Sequence, residues 1–359
     1  MDSRCVPDHD ARMGEQDATN QASPRMLDTR GRPLRDLRIS VTDRCNFRCP
    51  YCMPAEIYGE RYHFLPKADL LSFEEIERLT RLFVEAGAVK IRLTGGEPLV
   101  RTNLPALIRA LSGIEGVADL TLTTNGVLLA EQASTLAAAG LKRITVSLDS
   151  LDDAVFGRMA GRDAKPQLVL DAIEAARAAG LSPIKINCVV QRGVNDHTIV
   201  DLARHFRGSG HIVRFIEYMD VGTLNGWDAS EVVSAREIVG RIGAQFALEP
   251  VAATYRGEVA RRWRYLDDNG EIGVIASVTQ PFCGDCTRAR LTTDGKLVTC
   301  LFATGGTDLK TPMRSGASDD ELRALLRSVW TAREDRYSED RFAAGGRERE
   351  KIQMYQLGG

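Results

Sequence analysis

Six of the chain's eight cysteines fall into two tight groups: Cys45, Cys49 and Cys52, then Cys283, Cys286 and Cys300. Three thiolates can bind three irons of a cubane cluster and leave the fourth iron without a protein ligand, whereas ordinary ferredoxin-type clusters take four cysteines. An open iron can receive a substrate or cofactor, as an open zinc position does. The C-x3-C-x2-C spacing of the first group, with Tyr51 before the last cysteine, is more specific than a lone C-x2-C. The alternative there is a structural zinc completed by His63, the nearest histidine. At the second group no histidine occurs after His211, and Asp285 is the candidate fourth ligand of a zinc site. A disulfide framework is not expected in a large intracellular enzyme. Clustered cytosolic cysteines point to metal or redox chemistry.

A repeating pattern positions these groups. Short β-branched runs over 37–42, 89–94, 119–124, 143–148, 184–190 and 212–218 predict strands. Amphipathic stretches over 72–86, 104–111, 129–139, 167–179 and 196–206 predict helices. Ser72 with Glu75 is a capping-box signature, and Gly87, Gly140, Gly180 and Gly210 suit left-handed helix caps. Alternating strand and helix means parallel βαβ units with right-handed crossovers. Six strands are too few for a closed eight-stranded barrel. The expected fold is therefore α/β, a partial (β/α)6 TIM-like barrel over 26–220. A smaller C-terminal α+β module over 221–345 carries the second cysteine group and caps the barrel mouth. Residues 1–25, including Cys5, read as a disordered tail, and 346–359 as a tail ending in Gly358-Gly359.

In barrel folds chemistry gathers at the strands' C-terminal ends, and polar residues cluster there in this chain. Thr94-Gly95-Gly96-Glu97 offers close backbone approach to a ligand and a carboxylate that could accept from an ammonium. Thr123-Thr124-Asn125, Ser147-Leu148-Asp149 and Glu217-Tyr218-Met219-Asp220 follow the same rule. Each alone reads as a turn or cap, Asp149 as a loop stabiliser and Met219 as core. Arg38, Arg92 and Lys185 project from strands buried on both faces, where a charge has little room. They point into the barrel towards an anion, or else snorkel at a strand edge.

Within the module, Asp268-Asn269-Gly270 and Asp294-Gly295 are strong hairpin turns. A two-residue turn at the second pairs Thr293 with Lys296, hence Ala289 with Cys300, which returns Cys300 towards Cys286. Simple alternation then puts Arg288 and Arg290 on the face opposite Cys300.

The bulk numbers narrow the class. The 359 residues are 43% hydrophobic and 27% charged, with a net charge of −2. No global basic field argues for nucleic acid. No apolar run reaches the roughly 18–20 residues of a membrane helix, and the polar N-terminus lacks a secretory core. The expected location is the cytoplasm.

The first cysteine motif, on this scaffold and followed by Gly-Gly-Glu-Pro, resembles the signature of the radical S-adenosylmethionine superfamily. With Cys283-Gly284-Asp285-Cys286-Thr287-Arg288-Ala289-Arg290, Cys300, Phe215–Met219 and the terminal Gly-Gly, the chain resembles the GTP 3′,8-cyclase (MoaA) family of molybdenum cofactor biosynthesis over residues 27–359. The resemblance implies two [4Fe–4S] clusters. The first binds S-adenosylmethionine, with contacts from Tyr51, Gly96, Ser147 and Met219. The second binds the guanine of GTP through its open iron. Arg38, Arg92, Thr123, Lys185, Arg288, Ala289 and Arg290 hold GTP, the cations chiefly its triphosphate, for which the arginine fork is suited. It also implies that a 5′-deoxyadenosyl radical removes the ribose 3′ hydrogen and that C3′ attacks C8. An external electron donor, a homodimer and an active-site role for the C-terminal tail are further expectations of the resemblance. Another radical enzyme with an auxiliary cluster, such as a peptide-modifying maturase, is the alternative. A non-enzymatic metal-binding or electron-transfer protein is the reading from a different class.

Overall fold

The computed structural model describes residues 26–342 and 350–358. The expected tail over 1–25, with Cys5, and the terminal Gly359 lie outside the described residues.

Six strands form the expected series: β1 (Asp36–Ser40), β2 (Lys90–Thr94), β3 (Asp119–Thr124), β4 (Arg143–Ser147), β5 (Ile184–Val190) and β6 (Ile212–Glu217). Helices α1 (Phe73–Glu85), α2 (Leu104–Ser112), α3 (Leu129–Ala138), α4 (Asp153–Ala160), α5 (Pro166–Ala178) and α6 (Ile199–Phe206) connect them. In α1 both halves of the Ser72–Glu75 capping box are present, and Ile76, Leu79, Thr80 and Phe83 form its buried stripe. Those spacings of three and four put one apolar face on the sheet. Helix α4 is an addition to the expected pattern. Asp152 caps it by accepting from Val155 N–H.

After β6 come α7 (Ala235–Gly243), β7 (Leu248–Val251), β8 (Arg261–Tyr265), β9 (Glu271–Ile275), β10 (Arg288–Leu291), β11 (Lys296–Val298) and β12 (Thr307–Asp308). Four helices complete the described chain: α8 (Lys310–Arg314), α9 (Asp319–Thr331), α10 (Tyr337–Asp340) and α11 (Met354–Leu357). The strand order is β12-β11-β10-β1-β2-β3-β4-β5-β6-β9-β8-β7. The module's strands therefore do not sit apart as a cap. They extend the barrel sheet at both edges, with β10 parallel to β1 and β9 parallel to β6. Eight contiguous strands run parallel, and the hairpins supply the two that lack βαβ crossovers. Pro250 falls in β7, at the sheet edge, where a missing N–H removes no ladder bond.

The second hairpin corrects the expected register. Arg290 pairs with Val298 and Leu291 with Leu297, so the loop holds three residues, Thr293-Asp294-Gly295, with Gly295 at φ +82°. A one-residue slip turns every side chain to the other face. Continuing the ladder sets Arg288, not Ala289, opposite Cys300. Both arginines and Cys300 thus share a face, and no bulge within the strands is needed.

Glu217, fully buried at the end of β6, joins the module to the barrel. It accepts from Ala235 N–H at 2.8 Å, Val278 N–H at 2.8 Å and Thr279 N–H at 2.9 Å, and from the Thr279 hydroxyl. A buried donor left without a partner costs about 1–3 kcal/mol. Glu217→Ala should therefore destabilise the protein by several kcal/mol and Glu217→Gln by less, read as the denaturation midpoint in urea. A wild-type midpoint in Glu217→Ala would contradict this role.

Candidate active site

Cys45, Cys49 and Cys52 lie in the loop beyond β1, and glycines fix that loop from both sides. Gly96 N–H donates to the Thr42 carbonyl at 2.8 Å, and Glu97 N–H to the Arg44 carbonyl at 2.8 Å. A Cβ on Gly96 would stand 2.2 Å from the Arg44 oxygen, and one on Gly95 2.4 Å from the Thr42 oxygen. The close approach permitted by Gly-Gly is thus to the cysteine loop itself. Opposite, Arg48 N–H donates to the Ala160 carbonyl at 2.9 Å. Gly161, at φ +62°, would place a Cβ 1.8 Å from the Arg48 oxygen.

Side chains from the strand ends complete the grip. Asn125 Nδ2 donates to Asn46 Oδ1 at 2.6 Å and approaches Cys45 Sγ at 3.9 Å. Tyr51 donates its hydroxyl to Asp149 Oδ2 at 2.8 Å, while Asp149 Oδ1 accepts from Val189 N–H at 2.8 Å. Glu97, expected as an ammonium acceptor, faces the cavity with part of its acceptor capacity already in use. Its carboxylate is buried and already accepts from the Thr124 hydroxyl at 2.7 Å, Asn125 N–H at 2.7 Å and Leu99 N–H at 3.0 Å. It braces the end of β2 against β3. Burial raises Glu97 to about 7 against these three hydrogen bonds. Asp149 rises to about 6 for the same reason.

Burial also raises Cys45 to about 11, with the Glu97 charge adding to it. It also pushes Cys49 well above the ordinary thiol range and raises Cys52. A bound cation reverses that preference, because metal ligation displaces the thiol proton. Among the described residues, no three Cys, His, Asp or Glu side chains converge as a single-ion site requires. A cubane cluster makes no such demand, since each thiolate binds a different iron. The candidate zinc ligands lie elsewhere. His63 is exposed and lines a separate surface depression. Asp285 is exposed and pairs with Arg256 at 2.8 Å.

The second thiol group lies at the other end of the sheet. Cys283 and Cys286 precede β10, which runs parallel to β1 with Arg288 opposite Asp36. Cys286 is therefore at the strands' N-terminal side, whereas Cys45 is beyond their C-terminal ends. The four residue steps of β1 alone span roughly 13 Å. The rule of chemistry at the C-terminal ends holds for the first group and not for the second. Cys286 differs in its electrostatics too. Burial would raise it, but Arg288 and Arg333 outweigh burial and bring it down to about 6.

Both groups line one cavity of about 300 Å³. Tyr51, Gly96, Ser147 and Met219 face it near the first group. Arg38, Arg92, Thr123, Lys185, Arg288 and Arg290 face it along the strands. Ala289 does not. Its side chain is in the core beside Leu37, on the other face of β10. The strand register sets Arg290, Arg38 and Arg92 side by side. Arg92 donates to the hydroxyls of Thr123 at 2.8 Å and Thr145 at 3.0 Å. Buried Nε atoms of Arg288 and Arg290 have no hydrogen-bond partner among the described residues.

Arg214 belongs to this set and is absent from the expectations. It donates to Asn187 Oδ1 at 3.0 Å and the Thr145 hydroxyl at 3.2 Å. Its signal is the one that marks Arg38, Arg92 and Lys185, a cation inside an apolar strand. Burial and then the Arg92 charge lower Arg214 to about 9. Burial and Arg288 lower Arg290 to about 10. Arg38 falls well below its ordinary value through burial and the charges of Arg290, Arg288 and Arg92. This is a cluster of buried like charges lining the cavity.

The C-terminal tail reaches the same mouth. Tyr355 packs on Tyr58 at 5.1 Å and shares a 2.9 Å hydrogen bond with the Tyr62 hydroxyl. Gly358 lies where a Cβ would meet Thr94 Cγ2 at 2.0 Å.

Comparison with known proteins agrees with this architecture. The Radical SAM superfamily model matches residues 39–206, and the Molybdenum Cofactor Synthesis C model matches 211–339. The GTP 3′,8-cyclase of Acidothermus cellulolyticus is 55% identical over 316 residues, 87% of each chain. That of Xanthomonas campestris pv. campestris is 52% identical over 334 residues, 93% of this chain and 97% of the relative. That of Staphylococcus carnosus is 50% identical over 337 residues, 93% and 99% of the two chains. Among solved structures, Streptococcus suis SuiB bound to S-adenosylmethionine aligns with a TM-score of 0.51 at 13% identity, over 92% of this chain and 71% of that one. This last likeness concerns the fold alone.

The loop's fit between two backbones can be tested without any cofactor. Gly161→Ala should speed alkylation of Cys45, Cys49 and Cys52 in the metal-free protein and leave Cys283, Cys286 and Cys300 unchanged, as resolved by peptide mass spectrometry. Equal rates in variant and wild type would contradict the packing.

Proposed function

The chain belongs to the GTP 3′,8-cyclase family, and on that premise we propose a site-by-site account of how it converts GTP to (8S)-3′,8-cyclo-7,8-dihydroguanosine 5′-triphosphate in molybdenum cofactor biosynthesis. The observation that carries the account is one cavity with a three-thiol group at each end and buried cations between them. That arrangement favours a triphosphate substrate over the peptide of a maturase, and gives an electron-transfer protein no use for the cations.

Cys45, Cys49 and Cys52 would hold a [4Fe–4S] cluster whose open iron takes S-adenosylmethionine, with Tyr51, Gly96, Ser147 and Met219 around it. Cys283, Cys286 and Cys300 would hold a second [4Fe–4S] cluster whose open iron takes the guanine edge. With an external electron donor, a cluster and S-adenosylmethionine bound at the first thiol group would supply radical chemistry at the ribose 3′ position. The chain's own residues do the rest. Arg38, Arg92, Lys185, Arg214, Arg288 and Arg290 offset the triphosphate charge, and Thr123 adds a hydroxyl. Ala289 keeps β10 flush against β1 so that its two neighbours face the cavity. Fixing the nucleotide at base and triphosphate holds C3′ against C8, which replaces an improbable encounter by proximity. Burial of the cations strengthens each contact by excluding water. No helix among the described residues is long and apolar enough to cross a membrane.

The test is anaerobic incubation with GTP, S-adenosylmethionine and dithionite. Cyclised product and 5′-deoxyadenosine should form together, and turnover without 5′-deoxyadenosine would refute the account. A charge-assisted hydrogen bond contributes about 1.5–3 kcal/mol. Arg214→Ala should accordingly raise the KM for GTP by about tenfold to a hundredfold, leaving S-adenosylmethionine binding intact. An unchanged KM would remove Arg214 from the triphosphate set.

A further inference from the structure

Arg333 follows α9 and carries no periodic signal, yet its side chain is 1% exposed and reaches the second thiol group. Its Nη2 donates to Cys286 Sγ at 3.2 Å and its Nη1 to the Cys286 carbonyl at 2.8 Å. The other donors are held in place, Nε by Asp335 Oδ2 at 3.3 Å and Nη1 also by Asp28 Oδ2 at 3.4 Å. Asp28 is itself gripped by Arg32 Nε at 2.5 Å. Arg32 in turn donates to the carbonyls of Cys283 at 2.8 Å and Asp335 at 2.7 Å. The Trp330 ring lies 4.7 Å from the Arg333 guanidinium carbon. A guanidinium fixed by two carboxylates, a carbonyl and a ring cannot turn to meet an incoming substrate. It is a permanent part of the sulfur's surroundings. Arg288 also reaches Cys286 Sγ, at 3.4 Å, but it keeps an unpartnered Nε in the cation layer.

We propose that Arg333 is a positioning residue that raises the reduction potential of the cluster held by Cys283, Cys286 and Cys300. The proposal rests on the reading above that these cysteines hold a cluster. An N–H···S hydrogen bond carrying positive charge stabilises the more negative, reduced cluster more than the oxidised one. Hydrogen bonds to sulfur and net charge are established determinants of cluster potentials, and outer partners tune a metal site as its ligands do. The couple transfers one electron, with all three thiolates bound in both states and no proton or bond exchanged. The first group is built differently. Cys45 receives a backbone N–H from Phe47 at 3.4 Å and an amide from Asn125 at 3.9 Å, both neutral. At the first group the nearby guanidinium, Arg48, donates to the Cys45 carbonyl at 2.8 Å rather than to a sulfur, so the two groups differ in whether a cation is hydrogen-bonded to sulfur.

The experiment uses the full-length chain with Cys45, Cys49 and Cys52 changed to Ala, so that only the second group assembles a cluster. Its midpoint is measured by mediated dithionite titration followed by electron paramagnetic resonance, with dithionite as the one-electron donor. Arg333→Gln should lower the equilibrium constant for reduction at least tenfold, which is 59 mV for a one-electron couple, at unchanged iron content. Arg333→Lys, which keeps the charge and loses the fork, should shift it less. An unchanged midpoint in Arg333→Gln at full iron content overturns the proposal. Loss of the cluster from both variants also overturns it and assigns Arg333 to assembly. If the parent protein takes up no iron, the cluster reading itself fails, and this inference falls with it.

Discussion

The site depends on one pairing, the parallel docking of β10 against β1. Arg288 lies opposite Asp36 and Arg290 opposite Arg38. Because β10 is short and enters from a cysteine loop, that alignment fixes the second thiol group at the N-terminal end of the same barrel. The first group is carried past the C-terminal end by β1 itself. A hairpin docked antiparallel, or at the far edge beside β9, would leave the thiols on one side or outside the cavity. The distance between the groups is thus set by strand length, which packing cannot easily change.

The same pairing sets three guanidinium groups side by side, Arg290, Arg38 and Arg92. Burying like charges without anions opposes folding, and the lowered pKa values of Arg38 and Arg290 express it. Threonine hydroxyls and Asn187 satisfy part of the set, while the buried Nε atoms of Arg288 and Arg290 stay unpartnered. The apolar face that Leu37 and Ala289 share with the surrounding core offsets the cost. Strand alternation makes this possible, because one face of β10 carries the charges and the other carries packing.

Much of this was legible in the sequence where the signal is local. The barrel strands, the α1 cap, both thiol groups and three strand cations follow from spacing and periodicity within a few residues. What failed was non-local or turned on a single residue. The Gly95-Gly96 pair marks a close approach, but sequence cannot say whether ligand or chain approaches, and the Arg44 carbonyl occupies the place. That Glu97 also accepts from Thr124 and Asn125 depends on strand order, which no local signal gives. The hairpin at Asp294-Gly295 was recognised, yet reading two loop residues for three inverted the faces of Arg288 and Arg290. Arg214 is the exception, because its signal, a cation inside an apolar strand, is as local as that of Arg92. Arg333 had none, since its partners Asp28 and Cys286 are distant in sequence.

The end of the chain follows the same logic as the glycines of the cysteine loop. Asp220, just past β6, holds Lys351 at 2.7 Å and Arg341 at 2.9 Å, with the Tyr337 hydroxyl at 2.6 Å. These bonds tie the tail to the barrel rim beside Met219. Burial opposes the charge on Asp220, yet Lys351 and Tyr337 keep its carboxyl below the usual range. The tail then passes Tyr355 into the aromatic pocket beside Cys52 and meets Thr94 at Gly358. At Gly358 the positive φ and the contact with Thr94 each exclude a side chain. A longer residue would have to displace either β2 or the tail. Tail backbone therefore lies at the barrel mouth where a side chain would not fit, beside the first thiol group.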